Sequence, residues 1–202
     1  MFLIYTFLGA VLGSFAGALT YRWPHGESIL QARSHCPNCK HQINWYDNIP
    51  LLSYLALRGK CRNCHKKISI RYFYIELGLT LLFTLFYFVG LASPLNLAII
   101  FITYCIFIFD FEHQYIPDTL SFLGLLFVIC NLLFANQDPY LALASGLSAG
   151  VFLLLINLLT LGRGMGLGDV KLALFIGAFL GFPLALTWMF TSFVVGSLIG
   201  IV

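Results

Sequence analysis

"AIIFITYCIFIFD", residues 98–110, passes through twelve residues without a charge and then stops on an aspartate. It belongs to an apolar segment at 94–110, and five more of similar size lie at about 2–20, 72–91, 117–135, 139–161 and 183–202. Each is near the roughly 20 residues that carry a helix across a bilayer. A shorter run at 169–181 spans only a thinned bilayer or dips part-way in. The segments lack the period-2 alternation of a membrane barrel, so strands are a poor reading. The whole chain agrees: its 202 residues are 60% hydrophobic and 9% charged, and its mean hydropathy is +0.91. Soluble domains carry roughly a quarter charged residues, so this chain has too little polar surface to cover itself in water. The expected fold is an all-α polytopic membrane helix bundle. Gly9, Gly13 and Gly17 are spaced by four, as are Gly146/Gly150, Gly177/Gly181 and Gly196/Gly200. That spacing places small residues on one helix face and lets backbones approach closely.

Basic residues set the expected topology. Arg22, Arg33, Lys40, Arg58, Lys60, Arg62, Lys66, Lys67 and Arg71 all fall between the first two spans, and only Arg163 and Lys171 lie elsewhere. The positive-inside rule then puts 21–71 in the cytoplasm and the N-terminus outside. The loops 111–116 and 162–168 emerge on the cytoplasmic side, and 91–94 and 136–139 face out. Segment 2–20 lacks a basic start and a small-residue cleavage motif, and reads as a retained helix. The net charge of +3 is thus a topology signal; no aromatic-basic interleaving suggests nucleic acid as a partner. Three regions follow: a first transmembrane helix at 1–20, a polar module at 21–71 and a helix bundle at 72–202.

The module contains "CPNC" (Cys36, Cys39) and "CRNC" (Cys61, Cys64), two pairs about 20 residues apart. Four thiolates at this spacing match the tetrahedral ligand set of a zinc ribbon, and a closed four-sulfur site is structural, not catalytic. Disulfides or a redox pair are the competing reading, and a cytoplasmic position argues against stable disulfides. His35, His41 and His65 lie near enough to replace a ligand. Cys105 and Cys130 fall within apolar spans and read as small hydrophobes.

Among the eight acids, Asp110, Glu112, Asp118, Asp169 and Glu76 stand near membrane edges. Asp110 closes its segment, where a negative charge opposes the helix dipole. A carboxylate at a membrane edge is costly and usually faces a polar cavity. Asp118 follows Pro117, a pairing that suits a helix start. Glu112 and His113 read as a solvated loop, and Glu76 as a partner of Arg71 or of the module. Asp169 follows alternating glycines in "GMGLGDVKL", 164–172. The Lys-Ser/Thr ending of a phosphate loop is absent there, and capping of the next helix is the plain alternative. The topology returns Asp169 to the membrane face of Asp110. Two converging carboxylates cannot both ionise easily and titrate as a unit. Such a pair can activate water while protonating or hydrogen-bonding a peptide carbonyl.

Four stretches together resemble the bacterial type IV prepilin peptidases, the leader peptidase/N-methyltransferases of the membrane aspartic protease class. They are "GSFAGALTYR" (13–22), "CPNCKHQINWYDNIPLLSYLALRGKCRNCHKKISIRYFYIE" (36–76), "FDFEHQYIPD" (109–118) and "GMGLGDVKLALFIGAFLG" (164–181). The resemblance implies that Asp110 and Asp169 are the catalytic pair, with Gly166, Gly168 and Asp118 in the active-site loops. It implies cleavage, at the cytoplasmic face of the inner membrane, of a basic leader from type IV prepilins or type II secretion pseudopilins, after a glycine. It further implies N-methylation of the new terminal residue from S-adenosylmethionine, a step associated with the cytoplasmic module and with Gly59 and Lys60. The chain ends within "FVVGSLIGIV" (193–202), where relatives commonly continue with another helix. Two other classes compete: a transporter using Asp110 and Asp169 as a cation site, and a zinc-ribbon scaffold on a bundle with structural acids.

Overall fold

The computed structural model describes residues 1–28, 34–134 and 138–200, without the side chains of 199 and 200. Arg33 of the basic set, residue 135 at the end of the fourth segment, 136–137 of the outward loop and the last two residues of the closing run lie outside the described residues. Among those described, the regular structure is helical: α1 (Phe2–Arg22), α2 (Leu52–Ala56), α3 (Ile70–Phe88), α4 (Pro94–His113), α5 (Asp118–Phe134), α6 (Pro139–Leu159), α7 (Leu167–Leu180) and α8 (Leu184–Gly200). The helices α1, α3, α4 and α6 are long and apolar enough to cross a membrane. The apolar α5 and α8 have 17 residues each. The protein is a multi-pass membrane protein with a four-cysteine module between its first two long helices.

Local chemistry explains where the helices start. The Ser69 hydroxyl accepts the Arg71 N–H to cap α3, and the Asp138 carboxylate accepts the Tyr140 N–H to cap α6, with Pro139 at its first position. Both are favoured N-terminal arrangements. α4 outruns its apolar segment. It continues through Glu112 and His113 before Gln114 turns to a positive φ of 51° and donates its N–H to the Asp110 carbonyl at 2.9 Å. Asp110 therefore stands in the last turn, and Glu112 and His113 are helical rather than looped.

The chain divides into two compact units, Met1–Cys105 and Ile106–Val202. In the first, α1 lies along α3 through its glycines. A Cβ on Gly13 would meet the Glu76 Cα at 2.8 Å, and one on Gly9 would meet the Thr80 Cα at 2.9 Å. Arg71 crosses this seam, donating to the Gly17 carbonyl at 3.1 Å and the Thr20 hydroxyl at 2.6 Å. Leu79, Phe83, Leu97 and Ile100 form the buried core.

In the second unit, α6 and α7 meet through Gly146, Gly150, Ala149, Gly177 and Ala178. A Cβ on Gly146 would strike the Leu174 carbonyl and would lie 2.8 Å from the Ala178 Cβ. The remaining glycines have other roles. Gly181 ends α7 at φ 66°, and a Cβ on Gly196 would meet nothing within 4 Å. We expect Gly146→Leu to destabilise the protein by at least about 1–3 kcal/mol through overpacking, which at this size is about 2–4 °C of Tm per kcal/mol. Gly196→Leu should leave the melting temperature in detergent unchanged. Equal melting of the two variants would remove this account of the seam.

Candidate active site and four-cysteine centre

The second unit carries both motif acids. Asp110 is exposed in the last turn of α4, and Asp169 is half-buried in the first turn of α7. Gly166 starts α7 with its N–H donating 3.2 Å to the Asp169 carboxylate. This is the returning half of a capping box; glycine has no side chain for the reciprocal bond. Asp169 thus fixes the start of its helix. α7, at 14 residues, is too short to cross a bilayer. At its mouth, burial pushes the Asp169 carboxyl up, the Gly166 N–H opposes the shift, and the Asp110 charge adds to it.

The intervening loop is tied in as well. Ile116 and Pro117 are buried, and a Cβ on Gly168 would lie 3.1 Å from the Ile116 Cβ and Cδ1. Only glycine lets the turn before Asp169 approach Ile116 this closely. Asp118, the first residue of α5, forms an ion pair with Lys171 of α7. The Lys171 and Asp118 side chains are partly exposed, so this pair is worth little on its own, about 0–1 kcal/mol. It nevertheless links the two motif loops, a partnership that spacing alone did not reveal. The Asn157 amide donates to the Met165 carbonyl at 2.5 Å, and the Thr160 hydroxyl accepts the Gly164 N–H at 3.1 Å. Neither Asn157 nor Thr160 had been singled out, because neither stands in a motif.

In the first unit, the Sγ atoms of Cys36, Cys39, Cys61 and Cys64 all lie within 4.8 Å of one another. Cys36–Cys64 is 3.8 Å and Cys39–Cys61 is 4.0 Å. A tetrahedron with zinc–sulfur bonds of about 2.3 Å has edges of about 3.8 Å, so the thiols fit that ion. The two knuckles repeat one backbone design. Cys36 N–H donates to the His41 carbonyl and Lys40 N–H to the Cys36 carbonyl; Cys61 N–H donates to the Lys66 carbonyl and His65 N–H to the Cys61 carbonyl. Lys40 and His65 occupy matching positive φ values of 54° and 55°. The thiols shift unequally: Cys39 is drawn down to about 7, chiefly by a backbone hydrogen bond from His41, whereas Cys64 rises to about 11 against a Lys66 backbone hydrogen bond, through burial and the neighbouring thiols. His35, His41 and His65 are outside this cluster of donor atoms.

Gly59 and Lys60 lead into the second knuckle. Gly59 has φ 64°, and a Cβ there would lie 2.8 Å from the Tyr54 hydroxyl. Lys60 forms an isolated bridge with Lys67. Beside the knuckles, a cavity of about 450 Å³ opens between the module and the facing ends of α1 and α3. Tyr21, Arg22, Glu27, Tyr72 and Glu76 are among its walls, whereas Gly59 and Lys60 are not. The volume falls within the range of small-molecule sites, about 300–1,000 Å³.

The chain is a helical membrane protein with acid-bearing turns in one unit and a four-thiol module in the other. Comparison with known proteins gives its family. Residues 7–89 match the Bacterial Peptidase A24 N-terminal domain, and residues 96–201 match the Type IV leader peptidase family. The chain belongs to the type IV leader peptidase family. It is 32% identical over 198 residues to the prepilin leader peptidase/N-methyltransferase of Vibrio cholerae, covering 89% of this chain and 77% of that protein. The Neisseria gonorrhoeae protein of that name is 33% identical, over 96% of this chain and 79% of its own length. The Myxococcus xanthus one is also 33% identical and aligns with all of this chain, which spans 63% of that protein's length. No solved structure matches.

Proposed function

We propose that this protein is a membrane aspartic endopeptidase that removes the basic leader from type IV prepilins or type II secretion pseudopilins. It then methylates the new N-terminus, with Asp110 and Asp169 as the peptidase pair. The observation that carries the peptidase assignment is the joining of the acid-bearing turns of one unit, where Gly168 packs on Ile116 and Lys171 pairs with Asp118, with Asp169 half-buried and Asp110 exposed. Burial assigns the roles. Asp169 holds the shared proton and donates a hydrogen bond to the scissile carbonyl, while the exposed Asp110 takes a proton from the attacking water. Gly166, where a Cβ would come no nearer than 3.5 Å to Asp169, leaves room for a substrate backbone, and Gly168 seats the turn against Ile116.

The basic content of 21–71 supports a cytoplasmic module with the N-terminus outside, in the inner membrane. Cys36, Cys39, Cys61 and Cys64 would hold a structural zinc. The cavity beside them has the size and mixed charge for S-adenosylmethionine, which when bound supplies an electrophilic methyl group. Gly59, by shaping the turn against Tyr54, and Lys60, by its bridge to Lys67, support this step from outside the cavity wall. A cation transporter would leave the four-thiol module and the N-methyltransferase relatives without a role.

The deciding assay offers purified protein in detergent a peptide with a basic leader, Gly-Phe and an apolar segment. Mass spectrometry then reads cleavage and methyl gain. A peptide left both uncut and unmethylated would remove the proposal. The site sits where an apolar helix would meet a cytoplasmic leader, so backbone access sets the cut. Replacing the substrate glycine by valine should lower cleavage steeply. Neutralising leader lysines should lower it mildly, in a manner that added salt imitates. Equal cleavage of glycine and valine substrates would exclude the backbone-approach account.

A further inference from the structure

Glu76 is the seventh residue of α3, roughly 9 Å along a helix that rises 1.5 Å per residue, and α3 is long and apolar enough to cross a membrane. An ionisable residue at such a depth is expensive and marks a functional site by default. Its carboxylate accepts the Leu51 N–H at 2.7 Å and a hydrogen bond from the Ser14 side chain. Neither donor carries a charge, and a carboxylate offers about four acceptor positions, so it keeps capacity for a cationic donor. Arg71, the cation expected beside it, is spent on Gly17 and Thr20 of α1.

Glu76 also forms part of the wall of the 450 Å³ cavity, with Ser14, Ala18 and Tyr72. Two other carboxylates line that cavity. Asp47 is held bidentately by Arg62, and Glu27 is exposed. Glu76 is therefore the acid at the helix-lined end of a chamber walled by α1, α3 and the polar module.

We propose that Glu76 binds the newly exposed α-ammonium of the processed substrate in this cavity and acts as the base for its methylation. The inference rests on the proposed N-methyltransferase reading and adds the acceptor site to it. Cleavage leaves an ammonium at the head of an apolar helix, a group that enters the end of the span, and Glu76 lies less than two turns inside the end of α3. The ammonium gives one proton to the Glu76 carboxylate. The freed nitrogen lone pair forms a bond to the methyl carbon of S-adenosylmethionine as the carbon–sulfur bond breaks. That electron pair stays on sulfur, leaving a neutral thioether, and the product is a protonated secondary amine.

The test uses the full chain in lipid nanodiscs and two processed-substrate peptides, one with a free N-terminal phenylalanine and one N-acetylated. Binding is measured with S-adenosylhomocysteine present, and methyl gain is measured separately with S-adenosylmethionine. Wild type should bind the free amine at least tenfold more tightly than the acetylated peptide. Glu76→Gln keeps an oxygen for the Leu51 N–H but should lose this preference and slow methylation by about 10²–10⁴, the usual contribution of a general base. Glu76→Asp should recover part of both. Zinc content and melting temperature report the folding of each variant. Ala18→Phe, which fills the same cavity from α1, is the second route and should also abolish the preference. Retention of preference and rate by a folded Glu76→Gln or Ala18→Phe protein overturns the proposal. So does a wild type that cleaves leaders but adds no methyl group. A wild type that does neither removes the proposed function itself.

Discussion

Asp110→Asn and Asp169→Asn each abolish leader cleavage, and the double variant is little worse than either single one. This is the largest effect we expect. Two groups that share one proton act as a unit, so removing either removes the reaction, and their losses do not add. An asparagine at 169 can still accept the Gly166 N–H through its amide oxygen, so α7 should keep its start. Helix content and melting temperature should therefore remain near those of wild type while cleavage falls to background. Substantial cleavage by a folded, membrane-inserted Asp169→Asn protein would sink the assignment. So would losses in the two single variants that multiply in the double.

The second large effect is loss of the four-cysteine module when its metal is removed. Metal analysis should find about one zinc per chain, as a closed four-sulfur site requires. Cys36→Ser should remove that zinc, because the remaining thiols cannot complete the tetrahedron. Each knuckle is only a short turn with a few backbone hydrogen bonds, so metal binding and folding are coupled, with apparent binding energies of about 10–16 kcal/mol in isolated zinc-finger peptides. Limited proteolysis should then open the chain between Cys39 and Cys61 while α6 and α7 stay protected. Full zinc content in Cys36→Ser would mean that a different ligand set holds the ion.

Much of this was legible in the amino-acid order because composition and motif spacing are local properties. The apolar runs announced the long helices, and Cys-x-x-Cys announced both knuckles. Long-range partners were less legible. Asp118 suited a helix start by its position after Pro117, and nothing local named Lys171, 53 residues away, as its partner. Glu76 was assigned to Arg71 or the module. It meets the module through a backbone N–H, a donor that every residue but proline possesses, so no side-chain pattern could reveal it. Spacing by four marks every such glycine as part of a packing face. Gly146 and Gly13 pack that way, but Gly181 serves a helix end and a Cβ on Gly196 would meet none of the described residues within 4 Å. The end of α4 was misjudged because Glu112 and His113 are polar, yet a polar last turn of a helix costs nothing where it leaves the apolar layer.

The contact of Ile116 with Gly168 bears on how the enzyme lives with its lipids. Changes in bilayer thickness are absorbed by helix tilt, and tilting swings the far ends of long helices through large arcs. Asp110 lies six residues before Ile116, and Asp169 directly follows Gly168. The acids are thus gauged from a short latch of loop against glycine, not from the lengths of α4 and α6. Their separation should stay nearly constant as the membrane thins or thickens. Cleavage in vesicles of graded acyl length should then vary far less for this chain than for one carrying Gly168→Val, in which the latch is forced apart.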